Sequence, residues 1–254
     1  MSIEVAARPR FLGLGLSAAP VDVIVDEVVR LSRGDRFSYV VTPNVDHVVK
    51  LSREGADGPF RQSYPSAALR LCDSRVLARL ARLCGERLTV IVGCDLTEAL
   101  FRTRLANGDR VAIIGGDAET LPALNRLFPG PDYVQHSPPM GLATDHAAQD
   151  AIVDFVADAR PHYTFFAVGA PRSEVLAARL AREGRATGVG LCIGASIEFL
   201  TGVKPRAPRW MQQRGLEWLF RLLTEPGRLW RRYLVEGPAI FAIVLRWRLT
   251  GQAV

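Results

Sequence analysis

Several residue patterns that commonly carry redox or metal chemistry are missing from this sequence. The chain of 254 residues has only four cysteines and four histidines, and it contains neither a C-x-x-C pair nor a D-x-D motif. Scattered cysteines are typical of free thiols in a reducing compartment. Widely spaced histidines and unpaired carboxylates give little basis for a metal site, so we expect no bound metal.

Long apolar runs are also missing. The nearest candidate, Gly237 to Leu245, falls far short of the roughly 18 to 20 residues that a membrane span needs. The first twenty residues are too interrupted for a secretory signal. We therefore expect a cytoplasmic protein whose hydrophobic content of 48% is enough for a large core.

Short apolar runs alternate with amphipathic segments through most of the chain. Strands are predicted at 11–16, 37–41, 69–73, 88–92, 111–114, 133–135, 164–168 and 189–193. Helices are predicted at 21–31, 45–53, 96–105 and 150–159, with another ending near 183. This alternation predicts an α/β, Rossmann-like fold with a mostly parallel sheet and helices on both faces.

Basic charge is concentrated at the C-terminal end of the chain. From Lys204 to Arg248 there are ten basic and three acidic residues, a net of +7 against +6 for the whole chain. Three tryptophans, Trp210, Trp218 and Trp230, lie in the first part of this stretch, from Lys204 to Tyr233. The composition change near 201–204 predicts an α/β core at 1–201 and a basic amphipathic, helical appendage at 202–254. Such a segment indicates an anionic partner, which is a phosphate, a nucleic acid or a membrane surface.

Small or polar residues follow most of the predicted strands. They are Thr42, Asn44, Asp73, Gly93, Asp95, Gly115, Gly116, Gly169, Pro171, Gly194 and Ser196. Ligands of parallel sheets bind beyond the carboxyl ends of the strands, where glycines let backbone N–H groups approach phosphate. Ordinary strand-to-helix turns use the same residues. The pattern indicates an α/β protein with a cleft at this edge.

Asp73 has two interpretations. It ends an apolar strand, so its carboxylate should face the cleft, where partial burial would raise its pKa and suit it to accept a proton. It could equally cap the helix predicted at 74–83, a position that aspartate favours. Asp95, after the next predicted strand, has the same ambiguity.

Residues 13–18 match the dinucleotide fingerprint G-x-G-x-x-A. That fingerprint also requires an acid at the end of the second strand, where this chain has Thr42-Pro43-Asn44. We therefore interpret the match as accidental and expect no cofactor.

Three stretches of the C-terminal segment form an ordered signature. They are R-A-P-x-W at 206–210, G-L-E-W-L-x-R-L at 215–222 and E-P-x-R-x-x-R-R-Y at 225–233. The core adds Thr42-Pro43-Asn44, Asp73, Gly93-x-Asp95, Gly115-Gly116, Pro139-x-Gly141 and Gly169-Ala170-Pro171. Together these motifs resemble the WecG/TagA/CpsF glycosyltransferases, glycosyltransferase family 26, over nearly the whole chain.

The resemblance implies an inverting, metal-independent transfer of a hexose, N-acetylhexosamine or its uronic acid from a UDP-sugar. The implied acceptor is a polyprenyl-diphosphate-linked sugar at the inner face of the bacterial cell membrane, in exopolysaccharide, capsule or teichoic-acid-type synthesis. The appendage would close the active site and meet that membrane surface. No nucleic-acid partner is implied, and a homo-oligomer is an open option.

The resemblance also implies roles for individual residues. Asp73 would be the general base, and arginines of the appendage would stabilise the UDP leaving group. The implied substrate-binding residues are Thr42, Asn44, Gly93, Asp95, Gly141, Gly169, Pro171, Ser173, Arg206, Arg221, Arg228 and Arg231.

Two positions depart from the family pattern. Ser74 follows the acid where glycine is usual, and Ser173 replaces an expected glutamine. These changes leave the donor sugar open. The alternatives are a catalytically impaired protein that binds nucleotide sugar or lipid carrier, and a nucleic-acid-binding module that uses the Arg/Trp segment.

Overall fold

The computed structural model describes residues 9–253 and contains a central sheet of six parallel strands. The strands are β3 (Ser38–Val41), β4 (Leu69–Arg70), β5 (Arg110–Ile114), β6 (Asp132–His136), β7 (Tyr163–Phe166) and β8 (Val189–Cys192). Their order is β4-β3-β8-β7-β5-β6. Two short strands before them, β1 (Arg10–Phe11) and β2 (Leu14–Gly15), form a separate antiparallel hairpin. The predicted Rossmann-like class is confirmed.

Helices cover both faces of this sheet. They are α1 (Val21–Ser32), α2 (Val45–Arg53), α3 (Pro59–Gln62), α4 (Arg75–Leu83), α5 (Gly93–Thr103), α6 (Thr120–Leu127), α7 (His146–Ala159), α8 (Arg172–Glu183) and α9 (Ser196–Leu200). Alternate strand residues serve the two faces, as the pleat requires. Val40 belongs to the apolar cluster that includes α1, α5 and α6, whereas its neighbours Tyr39 and Val41 belong to the cluster that includes α7 and α8.

The C-terminal segment is helical and folds back on the core. It contains α10 (Arg209–Gln213), α11 (Glu217–Thr224), α12 (Pro226–Trp230), a π-helical stretch (Arg231–Glu236) and α13 (Ala239–Thr250). Ile240 and Val244 of α13 join a third apolar cluster with Phe11 of the hairpin and Leu77 of α4. Within residues 9–253, no helix combines the length and apolar character needed to cross a bilayer.

Two predicted strands are wrong. Residues 11–16 form the hairpin because Leu12 and Gly13 both take positive φ, at 56° and 83°, which reverses the chain. Residues 88–92 make only one parallel bridge, from Val90 to Cys72. The neighbouring β4 contains only two residues, so this apolar run has no longer strand to pair with.

Helix ends follow local capping. α2 spans the predicted residues, whereas α7 begins at His146, four residues before the predicted start. The side chain of Asp145 accepts a hydrogen bond from the Ala148 N–H at 2.9 Å, which fixes that earlier start.

Candidate active site

A cavity of about 540 Å³ lies between the core and the C-terminal helices. Asn44 and Asp73, which follow β3 and β4, line its floor. Its other wall comes from the C-terminal segment and includes Trp218, Tyr233 and Phe241. The cavity therefore occupies the edge where parallel sheets bind ligands, with a polar floor and a largely apolar wall.

Asn44 reaches the cavity as the N-cap of α2. Its Oδ1 accepts hydrogen bonds from the N–H groups of Asp46 and His47, at 3.0 and 3.4 Å. The Asn44 N–H in turn donates to His47 Nδ1 at 3.4 Å, which completes a capping box. Because Oδ1 is engaged by the helix, the amide nitrogen is the group that Asn44 retains for a ligand.

Asp73 is held by the backbone and not by the helix that follows it. Its N–H donates to Pro43 O at 2.9 Å, and its carboxylate accepts a hydrogen bond from the Gly93 N–H. Ser74 is the N-cap of α4, since its hydroxyl accepts from the Leu77 N–H at 3.1 Å. The interpretation of Asp73 as a helix cap is therefore wrong, and its carboxylate lines the cavity.

The surroundings of Asp73 change its acidity. Burial raises the pKa of Asp73 from 3.8 to about 7, against the opposing effects of Arg221 and of the Gly93 N–H. The negative charges of Glu217 and Asp95 add to the increase. A carboxyl with this pKa exchanges a proton readily near neutral pH, which is what general-base catalysis requires.

Helix α11 supplies charged groups opposite Asp73. Glu217 and Arg221 are four residues apart, so they share one face of α11, and both line the cavity. The Arg221 guanidinium also lies over the Phe199 ring, 4.8 Å from its centroid. The Arg221 guanidinium and the Glu217 carboxylate thus act on the Asp73 carboxylate with opposite charge.

Asp95 and Arg206 pair with each other outside the cavity lining. The Arg206 guanidinium donates to the Asp95 carboxylate and lies 3.5 Å from Glu98 of α5. This contact ties the start of the C-terminal segment to the core. Their predicted role in substrate binding stays a prediction.

Arg228 and Arg231 lie on the outer surface of the C-terminal segment. Their side chains are 58% and 74% exposed, and they pair with Glu225 at 2.5 Å and Glu236 at 3.3 Å. The structure does not bring them to the cavity, so their predicted contact with the leaving group stays a prediction.

Other predicted residues lie elsewhere. Thr42 is buried and its hydroxyl donates to Cys192 O at 2.8 Å, whereas the buried Ser173 hydroxyl donates to Phe166 O at 3.5 Å. Gly141 lies in the exposed segment after β6, and Gly169 and Pro171 lie between β7 and α8. Of the predicted side chains, the cavity brings together Asn44, Asp73 and Arg221, and Gly93 contributes its backbone N–H.

Sequence reasoning missed several lining residues. They are chiefly Asp46, Arg75, Glu217, Trp218, Arg232 and Tyr233. Glu217, Trp218, Arg232 and Tyr233 stand inside the G-L-E-W and R-R-Y motifs, which was the available signal. Asp46 pairs with Lys50 at 2.8 Å and with Arg232 at 3.3 Å, so it links α2 to the π-helical stretch.

No group of three or more His, Cys, Asp or Glu side chains in the described part of the chain could hold a metal ion. Among the charged groups that line the cavity are the Asp73 carboxyl, whose pKa is raised, and the guanidinium of Arg221.

A proton acceptor and a cation at the carboxyl edge of a Rossmann-like sheet are the elements of a group-transfer enzyme. The chain belongs to the family described as "Glycosyl transferase WecG/TagA/CpsF family", whose model matches residues 9–254, so it is a glycosyltransferase. It is similar to the N-acetylglucosaminyldiphosphoundecaprenol N-acetyl-beta-D-mannosaminyltransferase of Bacillus spizizenii. The two are 30% identical over 224 residues, which is 86% of this chain and 83% of that relative. The predicted family is confirmed.

Proposed function

We propose that this enzyme transfers a hexose, an N-acetylhexosamine or its uronic acid from a UDP-sugar to a polyprenyl-diphosphate-linked sugar, with inversion and without a metal ion. The observation that carries the proposal is the Asp73 carboxyl, with a pKa of about 7, facing Arg221 in a cavity at the sheet edge. The name of the Bacillus spizizenii relative supports the acceptor class, since that protein acts on a diphosphoundecaprenol-linked sugar.

The proposed reaction is a single displacement. Asp73 accepts the proton of the acceptor hydroxyl as its oxygen attacks the anomeric carbon of the donor. The bond from that carbon to the diphosphate breaks and UDP leaves with its electron pair. One displacement inverts the anomeric centre.

Arginine is the proposed counter-charge for the leaving diphosphate. Arg221 lines the cavity and lies near enough to Asp73 to lower its pKa. A guanidinium presents several donors to phosphate oxygens and stabilises the charge that develops on them. Arg206, Arg228 and Arg231 belong to the same basic segment, and we propose them as further contacts of the anionic substrates.

The C-terminal helices also support binding at the inner face of the cell membrane. Large apolar side chains that are more than half exposed follow one another along this segment: Trp230, Leu234, Val235, Phe241, Leu245 and Leu249. Arg231, Arg246 and Arg248 lie among them and are exposed. Exposed apolar side chains mixed with arginines suit the interface of an anionic bilayer.

The experiment is a transfer assay with a short-chain polyprenyl-diphosphate sugar and a panel of donors: UDP-N-acetylmannosamine, the corresponding uronic acid and UDP-glucose. Asp73→Asn should lower kcat at least about 100-fold, the usual contribution of a general base, while UDP affinity stays unchanged. Asp57→Asn, an exposed aspartate away from the cavity, is the matched control.

The outcomes separate the alternatives. Near-normal turnover of Asp73→Asn would remove Asp73 as the base. A wild-type chain that binds UDP but transfers no sugar from any donor would favour the catalytically impaired binding protein.

A further inference from the structure

A second cavity, of about 500 Å³, adjoins the first and has a different charge. Its charged lining residues are Arg75, Arg79, Arg82 and Arg87, and Gln213 of α10 also lines it. Among the described residues, no acid belongs to the lining. We call this cavity the arginine groove.

Three of the four arginines share one helix face. Arg75, Arg79 and Arg82 stand at i, i+4 and i+7 of α4, so their side chains are neighbours and their charges repel. Leu77 and Ala81 of the same helix are buried against the core. Arg75 lies in the first turn, which contains no acid and where the helix dipole disfavours a cation.

In the part of the chain that the structure describes, the four arginines of the groove have no acidic partner. Within residues 9–253, no acid lies within salt-bridge distance of Arg75, Arg79, Arg82 or Arg87, and the buried Arg75 Nε has no hydrogen-bond partner. By contrast, Arg104 and Arg185 each pair with an aspartate. Repelling cations beside an unsatisfied buried donor would be stabilised by a bound anion.

The groove and the active-site cavity share one lining residue. Arg75 lines both, and it follows Asp73 by two residues. The first cavity carries four acids, Asp46, Asp73, Glu217 and Glu236, against three arginines. A multiply charged phosphate group therefore meets less repulsion in the arginine groove than in the cavity beside it.

Gly215, which precedes α11, gives the arginines room. A Cβ at this position would lie 3.2 Å from the Arg75 Cβ and 3.5 Å from Arg79 Nη1, and its φ of +68° also favours glycine. Helix α13 lies along α4, since Ile240 and Arg75 line one cavity and Arg248 Nη1 donates to Leu83 O at 3.2 Å. Helix α4 thus contacts both the groove and the helix with the exposed apolar side chains.

We propose that the arginine groove binds the diphosphate of the lipid-linked acceptor while the attached sugar reaches Asp73. The identity of the ligand rests on the proposed function, since a base at Asp73 requires the acceptor hydroxyl at that end of α4. Planar guanidinium groups recognise phosphate oxygens through paired donors. Arg221, on the opposite wall, is left for the diphosphate of the donor.

The test compares Arg79→Gln/Arg82→Gln with the control Arg126→Gln/Arg182→Gln, which removes two exposed helical arginines elsewhere. Calorimetric titration with inorganic diphosphate, with the donor site at Arg221 filled by saturating UDP, measures binding to the groove. The first variant should bind diphosphate at least about tenfold more weakly, because two charge-assisted hydrogen bonds are lost, and the control should be unchanged. Thermal melting by circular dichroism checks that both variants fold.

Two further measurements identify the source of the diphosphate. In transfer assays, the groove variant should raise the KM for the short-chain lipid acceptor about tenfold and leave the KM for the UDP-sugar unchanged. A rise in the donor KM alone, or unchanged diphosphate binding, would overturn the proposal. So would a variant that loses only its affinity for phosphatidylglycerol vesicles, since the groove would then bind membrane lipid.

Failure of the proposed function would look different. A wild-type protein that transfers no sugar still reports on the groove through the diphosphate titration. Normal transfer by the groove variant, with a normal KM for the acceptor, would contradict the proposed role of the groove and leave the proposed function intact.

Discussion

At the scale of single residues, the carboxyl of Asp73 lies between groups that act on its charge in opposite directions. Burial and the acids Glu217 and Asp95 raise its pKa, whereas Arg221 and the Gly93 N–H lower it. The net pKa of about 7 leaves a substantial fraction ionised at neutral pH. Such a carboxylate is basic enough to accept a proton and still available to do so.

This balance predicts the pH dependence of transfer. Only ionised Asp73 can accept the proton, so kcat/KM should rise with pH and level off above about 7, the pKa of Asp73 in the free enzyme. Glu217→Gln removes a negative charge that raises this pKa, so the rise should move to lower pH. The measurement is a pH profile of kcat/KM for both proteins.

A matched control separates this effect from general damage. Glu119→Gln changes an exposed glutamate at the start of α6, far from the cavity lining, and its profile should coincide with that of the wild type. If Glu217→Gln leaves the rise of kcat/KM at the same pH, or moves it to higher pH, then Glu217 does not raise the pKa of Asp73.

At the scale of elements, we propose that Asn44 at the N-terminus of α2 contributes both to stability and to substrate binding. Its Oδ1 caps the helix, and its side chain lines the cavity, where the amide nitrogen would donate a hydrogen bond to the substrate. His47 Nε2 lies 3.2 Å from Glu174 of α8, so the capping box is also anchored to the neighbouring helix. Two substitutions can therefore separate the capping role of Oδ1 from the binding role proposed for the amide nitrogen.

Asn44→Ala removes both functions, and we expect it to lower the free energy of unfolding by about 1 kcal/mol. Asn44→Ser keeps a capping hydroxyl and should stay within a few tenths of a kcal/mol of the wild type. Both variants should raise the KM for a sugar substrate, because both lose the amide donor. Urea unfolding and steady-state kinetics measure the two effects. A serine variant with wild-type kinetics would assign Asn44 to the cap alone.

Elements of this kind also show what the sequence could predict. The periodicity of residues 45–53 and the polar residue before them were enough to predict α2 with its bounds. The apolar run at 88–92 gave a wrong strand prediction. A strand also needs a partner to pair with, and the neighbouring strand β4 ends at Arg70. Asn44 and Asp73 follow adjacent strands and could be predicted to meet. Thr42 and Ser173 point into the core, and residue type alone does not reveal that direction.

At the scale of the whole molecule, the cavity exists because the C-terminal segment closes over the sheet edge. Trp218, Tyr233 and Phe241 become its wall only through the packing of Ile240 and Val244 against the hairpin and α4. No local pattern specifies that contact, since its two sides are separated by most of the chain. Motif resemblance pointed to Arg221 and to the segment that contains Trp218 and Tyr233, and the long-range packing determines which side chains of that segment line the cavity.

The same packing leaves an apolar outer surface that predicts how the molecule meets a membrane. Leu234 lines the cavity and is 56% exposed, while Leu245 and Leu249 are 58% and 76% exposed on α13. The cavity thus opens beside the side chains that we expect to enter the bilayer. An acceptor held there by its lipid would reach Asp73 without leaving the membrane surface.

Replacing Leu245 and Leu249 of α13 with glutamine should therefore weaken binding to phosphatidylglycerol vesicles at least about tenfold, because each leucine buried in the bilayer contributes on the order of 1.5 kcal/mol or more. Stability should be unchanged, since these side chains are exposed in the folded protein. Leu127→Gln/Met140→Gln alters exposed apolar residues outside the C-terminal segment and serves as the control. Vesicle cosedimentation measures binding, and equal losses in both variants would show that α13 has no special part in it. If only the α13 variant dissociates and its transfer to a soluble short-chain acceptor is normal, the helix acts by bringing the cavity to the lipid.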